Sequence, residues 1–307
     1  MIFENWTNTH TEAFRKSAFT VKHKLNESDL FTDEALIKLL DKHPKSHTDI
    51  CTMGDSPETP FKFRTGDARG VDGALLLEAA KSGAIWINLR ECMNIHPEYN
   101  AVLKTMYGDL AKMTKSKPYS ARGGILISSP LAKVPYHCDP TETILWHVRG
   151  HKRFYLYPRT EEYLPDTAYE GILFKDQEDL PYRSSMEDGV RIFDLTDSEM
   201  LTWPLNSPHR VENVTHCISV TTEYSSPESS MKNAVMYTNA VLRQKFGRNP
   251  KWAEASYAEK LCKAVLGRVL RKFGILDSLK EKDFVTFKVS KSAPNYIQDI
   301  SPTVRAF

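Results

Sequence analysis

The pair His137-x-Asp139, in "VPYHCDPTETILWHVRGHKRFYLYP", sets an imidazole and a carboxylate two residues apart. In an extended segment residues i and i+2 point to the same face, so the two groups can converge on one ion at about 2 Å. Such a chelate needs a third ligand, and the candidate is His209 in "MLTWPLNSPHRVEN", 70 residues beyond Asp139, where Pro204 and Pro208 stiffen the approach. Two histidines and one carboxylate on one face leave positions open, the arrangement associated with non-haem Fe(II) that activates O₂.

Four histidines are followed two residues later by an acid: His10/Glu12, His47/Asp49, His96/Glu98 and His137/Asp139. With 10 histidines and 39 acids such pairs arise from composition alone, so context has to separate them. His10/Glu12 lies in a polar leader and His47/Asp49 in the loop-like "KHPKSHTDI". His96/Glu98 straddles Pro97 at a helix start, where Glu98 suits the helix dipole. His137/Asp139 alone lies beside strand-like sequence.

The elements that would position these groups change character along the chain. "TDEALIKLLDKH" and "DGALLLEAAKSG" have helical spacing, the second with Asp72 as N-cap and Gly83 as stop. "AIWINL" reads as a strand, and "HPEYNAVLKTMYGDLAKM" as a helix entered through Pro97. From residue 119 short β-rich runs follow one another, among them "GGILISS", "TILWHV", "KRFYLYP", "RIFDL", "EMLTWP" and "HCISVTTEY". Successive strands without intervening helices imply a sandwich or jelly-roll. Residues 159–190, acidic and bearing Tyr163, Tyr169 and Tyr182, read as a long excursion of the kind that forms lids or binding loops. Beyond 228 helical spacing returns in "SSMKNAVMYTNAVLRQKFG" and in "PKWAEASYAEKLCKAVLGRVLRKFG", with Pro250 opening the second helix and Gly274 closing it.

The stretches "SSPLAKVPYHCDPTETILWHVRGHKRFYLYP" and "LTWPLNSPHRVENVTHCISVTTEY" together resemble the JmjC and cupin-like Fe(II)- and 2-oxoglutarate-dependent oxygenases. The likeness covers roughly residues 119–225 and rests on the His-x-Asp, a strand, a Gly-x-Lys turn into a strand ending at Pro, and a distal His near aromatic and proline residues. It implies a mainly β chain with a double-stranded β-helix (jelly-roll, cupin-like) core over 119–228, flanked by a helical or mixed part over 1–118 and a helical extension over 229–307, packed as one unit. It further implies that His137, Asp139 and His209 are iron ligands. Lys152, 15 residues past His137, falls where one branch of the family holds the distal carboxylate of 2-oxoglutarate. A buried ammonium needs an anionic partner, and a dicarboxylate supplies one. Thr143 falls where relatives place a polar group near the cosubstrate's metal-bound end, although threonine also simply suits a strand; Thr221 is a weaker parallel. The implied cofactors are Fe(II), 2-oxoglutarate as cosubstrate, and O₂. Asp139 stands where related halogenating enzymes carry a small residue, which favours hydroxylation or hydroxylation-driven demethylation.

Strand alternation puts Thr143, Leu145 and His147 on one face, so His147 faces the cavity without being a ligand, and Cys138 points away from its neighbours. His151 reads as a solvated turn residue, His216 as structural, and Trp203 as core or a pocket wall. Five scattered cysteines without a CxxC pair argue against a disulfide framework or a structural zinc site, and a reducing cytoplasm is the simplest compartment. A net charge of +2 on 307 residues gives no global field for nucleic acid or an anionic membrane. The expected substrate is a small molecule or a peptide, and the amphipathic C-terminal helix is expected to pack on the core or to join two copies in a homodimer. Two rival readings stay open: a metal-dependent cupin enzyme without 2-oxoglutarate, for which Lys152 would lie away from the metal face, and a non-catalytic cupin-like binding protein, in which the three ligands would not converge.

Overall fold

The computed structural model describes residues 1–52, 64–130, 132–174, 180–274 and 284–305. Parts of three stretches read above, residues 175–179 of the excursion, Leu131 of the motif and 275–283 after the last helix, lie outside the described residues.

Among the described residues fourteen strands form two sheets. In chain order they are β1 (Phe19–Lys22), β2 (Thr48–Thr52), β3 (Thr65–Asp67), β4 (Ile85–Leu89), β5 (Tyr119–Ser128), β6 (Lys133–His137), β7 (Glu142–Arg149), β8 (Lys152–Leu156), β9 (Arg191–Leu195), β10 (Glu199–Thr202), β11 (His209–Asn213), β12 (Cys217–Ser225), β13 (Phe284–Val289) and β14 (Ile297–Val304). The larger sheet runs β1-β10-β7-β12-β5-β4-β2-β3-β13-β14 and the smaller β6-β11-β8-β9. All pairings are antiparallel except that of β13 with β3. The helices are α1 (Asn8–Ala13), α2 (Asp33–Lys42), α3 (Gly73–Ser82), α4 (Cys92–Ile95), α5 (Pro97–Thr114), α6 (Asp166–Phe174), α7 (Pro227–Phe246) and α8 (Tyr257–Lys272).

Period-two alternation decides what each strand of the larger sheet offers to each side. Ile125 and Ile127 of β5, Ile144, Trp146 and Val148 of β7, and Ile218 and Val220 of β12 enter one core with Leu36, Leu39 and Leu40 of α2, Leu76 and Leu77 of α3, and Leu103 and Leu110 of α5. The opposite face of the same strands meets the smaller sheet, where Leu145, Phe154, Leu156, Leu201, Trp203 and Val211 form a separate cluster. Between the two sheets lies the space in which the candidate residues meet.

Local sequence signals explain the covering helices. Thr32 and Asp72 accept hydrogen bonds from the Ala35 and Leu75 amides at the starts of α2 and α3, and Pro97 opens α5. Gly150, at φ 106, makes the tight β7–β8 turn, where a Cβ would meet the His216 carbonyl at 2.3 Å. That turn sets Lys152 at the first position of β8.

Several expectations need correction. Among the described residues helical ones outnumber strand ones, so the fold is a mixed assembly of sheets and helices and not a mainly β one. Strands from residues 19–89 and 284–304 extend the larger sheet; short and polar, "TDICT" and "TGD" carry little periodicity of their own. Pro250 does not open α8: Ser256 does, its hydroxyl accepting from the Glu259 amide. The described parts of the 159–190 excursion, residues 159–174 and 180–190, do not line the inter-sheet cavity. Their tyrosines turn to the outer side of the smaller sheet, where Tyr163, Tyr169 and Tyr182 pack with Tyr136, Tyr155 and Tyr157. Glu187 accepts from the Tyr157 and Tyr182 hydroxyls and from Arg210, which fixes the segment there. Helix α8 packs on α7 through Ala264 and Gly267, where a Cβ would meet the Ala234 carbonyl at 2.1 Å. Its other side exposes Tyr257, Leu261, Val265, Val269 and Phe273, one stripe at i, i+4 spacing. Among the described residues no helix is long and apolar enough to cross a membrane.

Buried neutral histidines make this fold sensitive to acid. Burial pushes His23 and His43 down to about 4 and His147 to about 3. The unfolded chain takes up these protons below about pH 6.5, whereas the native state refuses them until pH 3–4. Stability is therefore full above pH 6.5 and is lost as the pH falls through that window. In urea unfolding, His147→Gln is expected to lower the midpoint at neutral pH but to flatten its decline between about pH 7 and pH 5 relative to the parent.

Candidate metal centre

Strand register brings the two distant histidines together. His209, first residue of β11, is the cross-strand partner of His137, the last residue of β6, and of Leu156 on β8. The two imidazole centroids lie 4.2 Å apart. Asp139 follows in the loop after β6, and its carboxylate turns to both rings. The Asp139 oxygens are 4.0 Å from His137 Nε2 and 3.7 Å from His209 Nε2. One ligand atom from each of the three lies within 4.8 Å of the others, and no other such group of His, Cys, Asp or Glu occurs among the described residues.

Both rings are oriented for ligation. His137 Nδ1 lies 2.7 Å from the Pro135 carbonyl and His209 Nδ1 lies 3.0 Å from the Ser207 carbonyl. A carbonyl only accepts, so each Nδ1 carries the proton and each Nε2 presents its lone pair toward Asp139. Burial pushes His209 down to about 4, which keeps it neutral at physiological pH. Phe154 stacks on it at 4.8 Å and Trp203 lies at 5.0 Å, so Trp203 is a wall of the site. Metal bonds of about 2.0–2.2 Å place adjacent donors about 3 Å apart, so the trio needs to close by roughly an ångström around an ion. Two imidazoles and one carboxylate, with each Nδ1 held by a carbonyl, fit a divalent first-row metal.

The trio opens into a cavity of about 410 Å³ between the sheets. Lys152 lines it too, at the opposite end of the β8–β11 pair, where its Cα partner is Asn213. Four residues at about 3.4 Å each separate it from the His209 level by about 13–14 Å along the strand. The lysine is 4% exposed, no carboxylate reaches it among the described residues, and burial lowers its pKa. A buried, unpaired ammonium is costly unless an anion accompanies it. Thr143, Leu145, Phe154, Val211 and Thr221 line the same cavity.

The other candidates separate cleanly. His147 is fully buried on the predicted face but does not line the cavity, because Ser219 Oγ at 3.0 Å and the Gly150 carbonyl at 2.9 Å occupy its two nitrogens. His151 sits at the surface 3.3 Å from Asp194, and His216 bonds to the Ala80 carbonyl. Cys138 points into the tyrosine cluster, away from the ligands. Several lining residues were not legible beforehand: Asn88, Glu91, Arg122, Asn213 and Glu223. Asn213 lies two alternations beyond His209 on β11 and is found once that strand is recognised. Arg122 and Glu223 meet at 2.8 Å only because β5 and β12 pair in register, which no local pattern announces. Burial and the nearby Asp139 raise the Glu223 carboxyl.

No family model matches the chain, and no curated protein matches it. Solved structures do. Escherichia coli ycfD superposes with a TM-score of 0.52 at 16% identity, covering 89% of this chain and 69% of that one. The structure of YcfD, a ribosomal oxygenase from Escherichia coli, in complex with cobalt and 2-oxoglutarate gives 0.51 at 15% identity, covering 93% and 74%. The chain therefore shares that protein's fold over nearly its whole length.

The unpaired lysine gives a direct stability test. Lys152→Met keeps the stem and removes the charge, so the ligand-free protein is expected to gain about 1 kcal/mol or more. Chemical denaturation of parent and variant without added anions measures it; equal or lower stability would mean that the ammonium is satisfied.

Proposed function

We propose that this chain is an Fe(II)- and 2-oxoglutarate-dependent oxygenase that hydroxylates, or demethylates through hydroxylation, a small molecule or a protein side chain. The observation that carries this reading is the joint presence, in one cavity, of the His137–Asp139–His209 trio and the unpaired Lys152. In this reading the two sheets form the double-stranded β-helix of that enzyme class. His137, Asp139 and His209 hold Fe(II) by two Nε2 atoms and a carboxylate. Lys152, in the same cavity as the trio, pairs with the distal carboxylate of 2-oxoglutarate. Thr143 offers its hydroxyl to the cosubstrate's other end. Phe154, Trp203, Leu145 and Val211 wall the cosubstrate against water, which strengthens each charge pairing inside. Bound together, iron and 2-oxoglutarate supply the activation of O₂ and the oxidation of a substrate C–H bond.

Both rival readings are less well supported. Lys152 shares the cavity with the trio, against a cupin enzyme that dispenses with 2-oxoglutarate. The three side chains converge, against a mere binding scaffold. The likeness to YcfD, whose structures hold cobalt with 2-oxoglutarate or succinic acid, favours the same cofactor chemistry here. The outer end of the cavity, lined by Asn88, Glu91, Arg122 and Glu223, suits a polar substrate.

Anaerobic titration with Fe(II) and 2-oxoglutarate is expected to give a visible metal-to-ligand charge-transfer band, and admission of O₂ to release succinate. Asp139→Ala should abolish both signals and Lys152→Met should weaken 2-oxoglutarate binding, while surface His151→Ala leaves both intact. Absence of band and succinate in the parent would sink the proposal.

The exposed stripe on α8 favours self-association of two copies through that helix. Sedimentation should then show a dimer for the parent and a monomer for Val265→Asp, which places a charge at the middle of the stripe; identical profiles would exclude α8 as the contact.

A further inference from the structure

Asp139 belongs to neither strand beside it, since β6 ends at His137 and β7 begins at Glu142. Its main chain therefore lacks the ladder bonds that fix the two histidines, and side chains from three other segments replace them. Asn206 Nδ2 donates to the Asp139 carbonyl at 2.7 Å and to the Tyr169 hydroxyl at 3.0 Å. The Tyr169 hydroxyl donates to Asn233 Oδ1 at 2.5 Å, and Asn233 Nδ2 donates to the Pro140 carbonyl at 2.8 Å. The bonds close a ring from Asp139 through Asn206, Tyr169 of α6 and Asn233 of α7 back to Pro140.

Two features argue that this ring serves the site and not simply the fold. Asn206 is 1% exposed, and its Oδ1 has no partner among the described residues. A buried amide satisfied on one side only costs stability, so it is a poor choice for strengthening a core. Asn206 also stands three residues before His209, in the loop whose Ser207 carbonyl accepts the hydrogen bond from His209 Nδ1. One short loop thus aims one histidine and anchors the backbone of the carboxylate that must meet it.

Resting on the metal reading above, we infer that Asn206, Tyr169 and Asn233 are positioning residues that hold the Asp139 carboxylate against the two histidines and tie the centre to helices α6 and α7. None of the three lines the cavity.

The test reads metal binding, not turnover. Asn206 sits at φ 59, where glycine is unstrained, so Asn206→Gly removes the amide without forcing the backbone. Tyr169→Phe deletes only the bridging hydroxyl and keeps the buried ring. Tyr99→Phe is the control: Tyr99 is as buried, and its hydroxyl donates to the Leu30 carbonyl, away from the cavity. Co(II) titration is expected to show a Kd raised about 10-fold or more for Asn206→Gly and in the same direction for Tyr169→Phe. The visible Co(II) bands should shift in both, while Tyr99→Phe leaves affinity and spectrum unchanged despite a similar loss of thermal stability. Unchanged affinity and spectrum in the two ring variants, with the parent binding Co(II), would overturn the positioning role alone, as would equal weakening by Tyr99→Phe. Failure of the parent to bind Co(II) would overturn the metal reading and this role with it.

Discussion

The antiparallel pairing of β6 with β11 is the constraint on which the rest of the centre depends. It sets His137 beside His209 across 72 residues of chain, and the onward pairing of β11 with β8 fixes how far Lys152 lies from both. A slip of one residue in that register would turn His209 out of the inter-sheet space and bring Arg210 in. Arg210 is tied to the other side by Glu187, Glu212 and the Tyr157 hydroxyl, with its guanidinium 3.4 Å over the Tyr155 ring. The ionic cluster outside the smaller sheet thereby protects the register that the inner side needs.

The inter-sheet space is unusual for a protein interior in what it leaves unsatisfied. Most buried polar groups near it find partners, although Asn206 Oδ1 does not: Trp146 Nε1 donates to Thr222, Asn213 to Ser128 and Ser129, and His147 uses both nitrogens. Lys152 breaks that pattern, and its cost has to be offset by the large apolar core on the far side of the bigger sheet. The helices of the N-terminal third thus act at a distance, as the stabilising mass behind the cavity-lining face.

The peripheral elements divide by task. The tyrosine-bearing segment, which looked like a lid, braces the outer side of the smaller sheet. Helices α6 and α7 reach the loop of Asp139 through Tyr169 and Asn233. The rim of the cavity is assembled from β4, β5 and β12, where the Arg122–Glu223 pair stands next to the ligand set.

The candidate ligand types, their order, the lysine and most of the helices were legible in the sequence, because they follow from local chemistry: His-x-Asp spacing, a Gly-x-Lys turn, polar caps and helical periodicity. Asp72, Gly83 and Pro97 act where their chemistry indicates. Tertiary structure decided what local chemistry cannot encode. The short polar strands β2 and β3 exist because neighbouring strands supply their hydrogen-bond partners. His147, on the correct face by alternation, is withdrawn from the cavity by Ser219 and Gly150, which only the β7–β12 pairing and the Gly150 turn bring to it. Asp139 reaches the histidines from a loop, held by Asn206, Tyr169 and Asn233 from three separate segments. Spacing along a chain fixes which groups are near in sequence; only the register of strands and the packing of helices fixes which of them share a cavity.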